Sequence, residues 1–204
     1  MKIFDCFMYF DEDLLLDLRF NYLDKYVDYF VVVESKFNHK GEVKKLKFEK
    51  KNFQKFENKI IHIIQEQEPD GIEEINSNES IIGINQKYIL NAGRRENAQR
   101  NTISKGLKKA NKDDWIIISD LDEIPNLENL NVEKTKEKFI FFKQDMMYYK
   151  FNLKFDNFKW VGSKACRKKD LISPQWLRNI KDKNYPWWRI DVYFSKKNTQ
   201  ISDL

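Results

Sequence analysis

The sequence predicts an α/β protein with a mostly parallel sheet flanked by helices, and three stretches carry that expectation. Two apolar runs, Lys2 to Tyr9 and Tyr29 to Val33, bracket a helical pattern, which is the strand-helix-strand unit of a parallel sheet. A long helical pattern over residues 86–110 leads into Trp115-Ile116-Ile117-Ile118, a β-branched run suited to burial on both faces. That run ends in Ser119-Asp120-Leu121-Asp122-Glu123-Ile124-Pro125, where three carboxylates precede a proline that cannot continue a central strand.

In chain order, the first strand is followed by Asp11, which can cap a helix with Leu14, Leu15, Leu18 and Tyr22 on one stripe. The second strand ends in Glu34-Ser35. Segment 36–58, with Gly41, predicts a loop and a short helix, and Ile60 to Ile64 a third strand. His62 lies inside that apolar run, which favours a core or edge histidine over a catalytic one. Residues 66–83 form an irregular excursion rich in Glu and Asn. In helix 86–110 one stripe holds Ala92, Glu96, Gln99, Ile103, Leu107 and Ala110, with Arg100 at its border. Its first half thus puts polar groups where a core face should be apolar. Either Glu96 pairs with Arg100 at the surface, or the helix start faces a ligand crevice, with Arg95 or Arg100 meeting phosphate oxygens. Further on, the pattern predicts a helical turn near 126–130, a strand Phe139 to Phe142, and an antiparallel strand Met147 to Leu153.

Ligand sites of open α/β sheets lie outside the carboxyl ends of the strands, which puts Asp120, Asp122 and Glu123 at a crevice. In an extended segment Asp120 and Asp122 would point the same way, about 7 Å apart. Together they read as half a metal site, completed by the phosphates of a nucleotide diphosphate and occupied by magnesium or manganese. The competing structural reading is a solvated turn in which Asp120 caps the next element.

The chain of 204 residues allows one domain with a real core, and 41% hydrophobic with 15% aromatic residues excludes general disorder. A net charge of +5, spread along the sequence, tolerates anionic ligands or a peripheral membrane contact but does not mark a nucleic-acid binder. No stretch reaches the roughly 18 apolar residues of a transmembrane span, and the N-terminus lacks the features of a secretion signal. Two cysteines form no framework and fit a reducing, cytoplasmic setting. Two histidines and two cysteines far apart make a zinc site a poor reading. Neither a dinucleotide-binding glycine fingerprint nor a P-loop occurs. Trp160, Trp176, Trp187 and Trp188, with Tyr185 and Tyr193, crowd the last quarter, where they fill a core or stack on sugar rings.

Asp13 to Arg19, Val31 to Ser35, Glu96-Asn97-Ala98-Gln99-Arg100-Asn101 and Ser119 to Pro125 occur in the order that resembles the family 17 glycosyltransferases, β-1,4-mannosyl-glycoprotein β-1,4-N-acetylglucosaminyltransferase-like enzymes, over roughly residues 3–195. The resemblance implies a GT-A-like, Rossmann-type sheet with an antiparallel C-terminal extension. It also implies a nucleotide-sugar donor, UDP-N-acetylglucosamine, a glycan or lipid-linked saccharide acceptor, and inversion at the anomeric carbon. By position, Asp120 and Asp122 resemble the family's metal and diphosphate acids, and Glu34, Glu96, Gln99 and Arg100 its donor-site polar residues. Family members continue with a Gly-Gly-Trp-His-Phe segment where this chain stops at Ser202-Asp203-Leu204, which implies a single domain over 1–204, C-terminally truncated and weak in transfer.

An inverting transfer needs a carboxylate base, for which Asp145 at a predicted strand end is the candidate. One rival reading is a haloacid-dehalogenase-type phosphatase, which also sets an acidic pair after an apolar strand. The other is a nucleotide-sugar-binding module without transfer activity.

Overall fold

The computed structural model describes residues 1–149, 153–181 and 198–203. Four parallel strands form half of the sheet, in the order β3 (Ile60–Gln65), β2 (Tyr29–Ser35), β1 (Ile3–Tyr9) and β4 (Trp115–Ile118). Past β4 the sheet turns antiparallel, as predicted for the later part of the chain. The first half of β5 (Phe139–Met147) pairs with β7 (Lys164–Arg167), its second half with β6 (Lys154–Trp160), and β7 also pairs with β4. The last strand, β8 (Asn198–Asp203), departs from that pattern by lying parallel to β5.

Both faces of the parallel half are covered, so its strands are apolar on both sides. Phe7, Phe30, Val32, Trp115 and Ile117 pack beneath α1 (Asp13–Leu23) and a 3-10 helix at Lys50–Phe56. Phe20 of α1 anchors that layer, with ring centroids 4.6 Å from Phe30 and 5.2 Å from Phe53. On the opposite face Cys6, Val31, Val33, Ile116 and Ile118 meet Ile103 and Leu107 of α2 (Ile81–Gly106) and its short 3-10 extension, and Leu177 of α3 (Pro174–Asn179). A Cβ at Gly106 would sit 2.4 Å from Val31 Cγ1, so the bare backbone lets α2 settle on β2.

Several expectations change. On α1 the buried stripe is Leu16, Arg19, Phe20 and Leu23, while Leu14, Leu18 and Tyr22 are exposed, because the apolar residues fit two stripes and the one with Phe20 and Arg19 finds partners. Asp11 does not cap α1; the N-cap is Glu12, whose carboxylate accepts from the backbone N–H groups of Phe10 and Asp11. Helix α2 begins five residues earlier than expected, where Ser80 Oγ accepts from Gly83 N–H. Residues 126–130 make a plain turn instead of a helical one. Met147 ends β5, and Tyr148 N–H closes back on Leu153 carbonyl at 2.8 Å; residues 150–152 of the expected strand Met147 to Leu153 lie outside the described residues. Tyr185, Trp187, Trp188 and Tyr193 lie outside the described residues. Among the described residues, no helix is long and apolar enough to cross a membrane.

Candidate functional site

The acidic run after β4 is a tight turn, not the extended segment predicted. Glu123 N–H donates to Asp120 carbonyl at 3.1 Å, while Glu123 Oε2 accepts from Asp120 N–H at 2.9 Å, so one residue closes the turn from both sides. Asp120 and Asp122 therefore flank the buried Leu121 on a turn and not along a strand; Asp122 is exposed, and Asp120 lies close enough to act on its carboxyl.

Three guanidiniums hold this turn. From beneath, Arg19 Nη1 donates to the carbonyls of Asp120, Leu121 and Glu123 at 3.0, 3.0 and 2.9 Å. The rest of the Arg19 fork is bidentate on Asp5, at 2.8 and 2.6 Å, and both side chains are fully buried. From α2, Arg100 Nη2 donates to Asp120 Oδ1 and to Glu96 Oε1, each at 2.8 Å, and Nη1 to Gln175 Oε1. From α3, Arg178 bridges Asp120 Oδ2 and Glu123 Oε2, each at 2.7 Å, and also donates to Gly162 carbonyl. The other Glu123 oxygen, Oε1, accepts from Trp160 Nε1 and from Arg178 Nη2, over a glycine, Gly162, whose Cβ would lie 1.9 Å from that oxygen.

Burial opposes the charge on Arg100, but Asp120 and Glu96 outweigh it and keep the guanidinium firmly protonated. Arg100 is thus neither a simple surface pair nor a free phosphate ligand. Asp5, Glu96, Asp120, Asp122 and Glu123 give five carboxylates against three guanidiniums, which leaves the cluster two charges short of neutrality. Asp122 carries much of that excess. Desolvation against the turn, then Glu123 and Asp120, raise its carboxyl above the usual range. A raised carboxyl binds its proton more readily in the folded than in the unfolded chain, so stability falls as pH rises through and above the ordinary carboxylate range. Asp122→Asn should therefore raise the melting temperature at pH 7 and change it less at pH 4, read by scanning calorimetry; an equal or lower value at pH 7 would contradict this charge balance.

Beside the turn, a narrow crevice runs between the ends of β1 and β2 and the middle of α2, lined by Phe10, Ser35, Phe37, Asn38, Arg95 and Glu96 among others. Glu96 belongs to both crevice and arginine cluster, joining the two. Gln99 also lines the crevice and ties it to the sheet through Val33 carbonyl at 3.0 Å. Arg95 is held by Glu68 and by His39 carbonyl. The other predicted residues are placed elsewhere. Glu34 is fully buried and accepts from Lys44 Nζ and the N–H groups of Lys47 and Phe48, pinning that segment. His62, half-buried against Phe48, has its pKa lowered by burial, as a structural histidine would. Asp145 bridges Lys159 and Lys154 on β6, and these hydrogen bonds hold its carboxyl below the usual range, which makes it a weak general base.

Sequence reasoning missed Arg19, Gln175, Arg178 and the Trp160 contact. An aspartate in the apolar run Ile3-Phe4-Asp5-Cys6-Phe7 signals a buried partner; nothing local marks Arg178. Among the described residues, no group of three or more His, Cys, Asp or Glu side chains could hold a metal on its own. Compared with known families, the chain matches the model of glycosyltransferase family 17 over residues 1–173. No curated protein and no solved structure matches it.

Proposed function

The chain belongs to glycosyltransferase family 17, and from that premise we propose that it moves N-acetylglucosamine from UDP-N-acetylglucosamine to a glycan or lipid-linked saccharide acceptor, with inversion. The observation that carries this reading is the guanidinium-braced acidic turn at the end of β4, joined through Glu96 to the crevice. The parallel order β3-β2-β1-β4, with ligand-facing groups at the carboxyl ends, supports a GT-A-like assignment.

In this reading the nucleoside lies across the mouth of the crevice, which at about 20 Å³ admits it only if Arg95 leaves Glu68 and the His39 carbonyl, and Gln99, Arg95 and Glu96 supply its polar wall. The diphosphate lies over the turn. Asp122, exposed and bonded to none of the three arginines, fits a magnesium or manganese ion that arrives with the donor, since such ions need one or two carboxylates when phosphates and water complete the shell. A cation there would offset charge on the departing diphosphate. Asp120 joins it only where Arg178 lets go; otherwise it fixes the turn between two arginines. Arg19, Arg100 and Arg178 hold the turn in shape before any ligand arrives, which is how a preorganised charge site avoids reorganisation on binding. Asp145, paired as it is, would have to shed two lysines to act as base. Two free, buried cysteines are in keeping with a reducing, cytoplasmic setting.

The test is a panel of UDP-, GDP- and CMP-sugars incubated with purified protein, manganese and a mixture of mannose- and N-acetylglucosamine-terminated glycan acceptors, read by mass spectrometry for donor consumption and the matching mass gain on an acceptor. UDP-N-acetylglucosamine should be consumed fastest, and Asp122→Ala should suppress that consumption. No consumption of any donor would overturn the reading.

A further inference from the structure

The antiparallel edge of the sheet carries an exposed aromatic pair next to the acidic turn. Phe158 and Trp160 on β6 are 45% and 40% exposed, and their ring centroids lie 6.3 Å apart at an angle of 50°. Residues two apart on a strand share a face, so both rings stand on the same side of β6. Trp160 is not a loosely placed surface residue, because its indole N–H is fixed on Glu123 Oε1, the acid that closes the turn at Asp120. Gly162 permits that bond, since a Cβ there would fall 2.2 Å from Trp160 Nε1.

Directly across from Trp160 in the antiparallel ladder is Gln144, and directly opposed residues lie side by side on one face. Gln144 is only 5% exposed, and its Oε1 is buried with no hydrogen-bond partner among the described residues. A buried amide oxygen without a partner costs free energy that a hydroxyl donor would recover. An apolar ring surface beside an unmatched hydrogen-bond acceptor is the chemistry that holds a pyranose, with its C–H face on the ring and a hydroxyl on the amide oxygen.

We infer that Phe158, Trp160 and Gln144 form a subsite for a sugar ring of the acceptor, one hydrogen bond away from the donor turn. The inference rests on the proposed transferase reading. Trp160 is its key residue, because the bond to Glu123 keeps the platform in register with the site where the donor diphosphate would lie. The three side chains set which acceptor ring is accepted; none of them reacts.

Saturation-transfer NMR with methyl α-D-mannopyranoside, N,N′-diacetylchitobiose and maltose tests the subsite, with UDP and diamagnetic magnesium as a separate arm. At least one saccharide should receive saturation, and Trp160→Ala and the exposed Phe158→Ala should each cut that signal about fivefold or more, as truncation of an aromatic anchor does. Gln144→Ala should weaken it, and Gln144→Glu, which restores an acceptor oxygen, should recover part. UDP contacts should persist in Phe158→Ala. Saccharide signals absent from the wild type, or unchanged in both aromatic variants, would overturn the subsite. Loss of UDP binding with a Phe158-dependent saccharide signal would instead remove the donor reading and leave the subsite standing.

Discussion

Arg19→Ala should cost about 3–5 kcal/mol of stability, because it leaves Asp5 as a buried charge without its partner. For a domain whose whole stability is about 5–15 kcal/mol, such a loss should appear as a large fall in the urea midpoint, with partial unfolding at ordinary temperature. A double variant separates the two jobs of this arginine. Asp5→Leu with Arg19→Met removes both charges and should regain the ion-pair part of the loss. It should not regain the rest, since the carbonyls of Asp120, Leu121 and Glu123 would still lack their donor. Full recovery in the double variant would mean that the turn does not depend on Arg19.

Arg178→Ala should cost about 2–4 kcal/mol, between the cost of an unsatisfied buried group and that of a broken buried pair, because Glu123 is 7% exposed and loses its main counter-charge. Arg178→Lys should recover only a minor share, since a single ammonium cannot span Asp120 and Glu123 as a planar fork does. Chemical denaturation of the three proteins reads both effects. A lysine variant as stable as the wild type would show that charge alone, not the fork, sets the geometry of the turn.

These arginines also mark where the sequence stops being legible. The strands could be read because β1, β2 and β4 are buried on both faces, and continuous apolar runs have few other uses. The face of α1 could not, since Leu14, Leu18 and Tyr22 compete with Leu16, Phe20 and Leu23 at the same spacing, and only the sheet and its buried Asp5 decide between them. The chemical character of residues 119–125 was plain, but their shape was not. An extended acidic pair and a closed turn have the same sequence; Glu123 folding back on Asp120 N–H and Arg19 donating from 101 to 104 residues away select the turn. Arg178 reaches Asp120 across 58 residues, a pairing that leaves no local period. Glu34 shows the reverse: an acid in a family motif whose hydrogen bonds are all taken up by the loop over β2.

Isothermal titration of UDP into the wild type and Asp122→Asn, each with and without manganese, tests the reading of the braced turn as a donor-diphosphate site most directly. Binding to the wild type should require manganese, and Asp122→Asn should lose that dependence together with most of the affinity while its fold stays intact. Equal affinity with and without manganese, or undiminished manganese-dependent binding by Asp122→Asn, would contradict it.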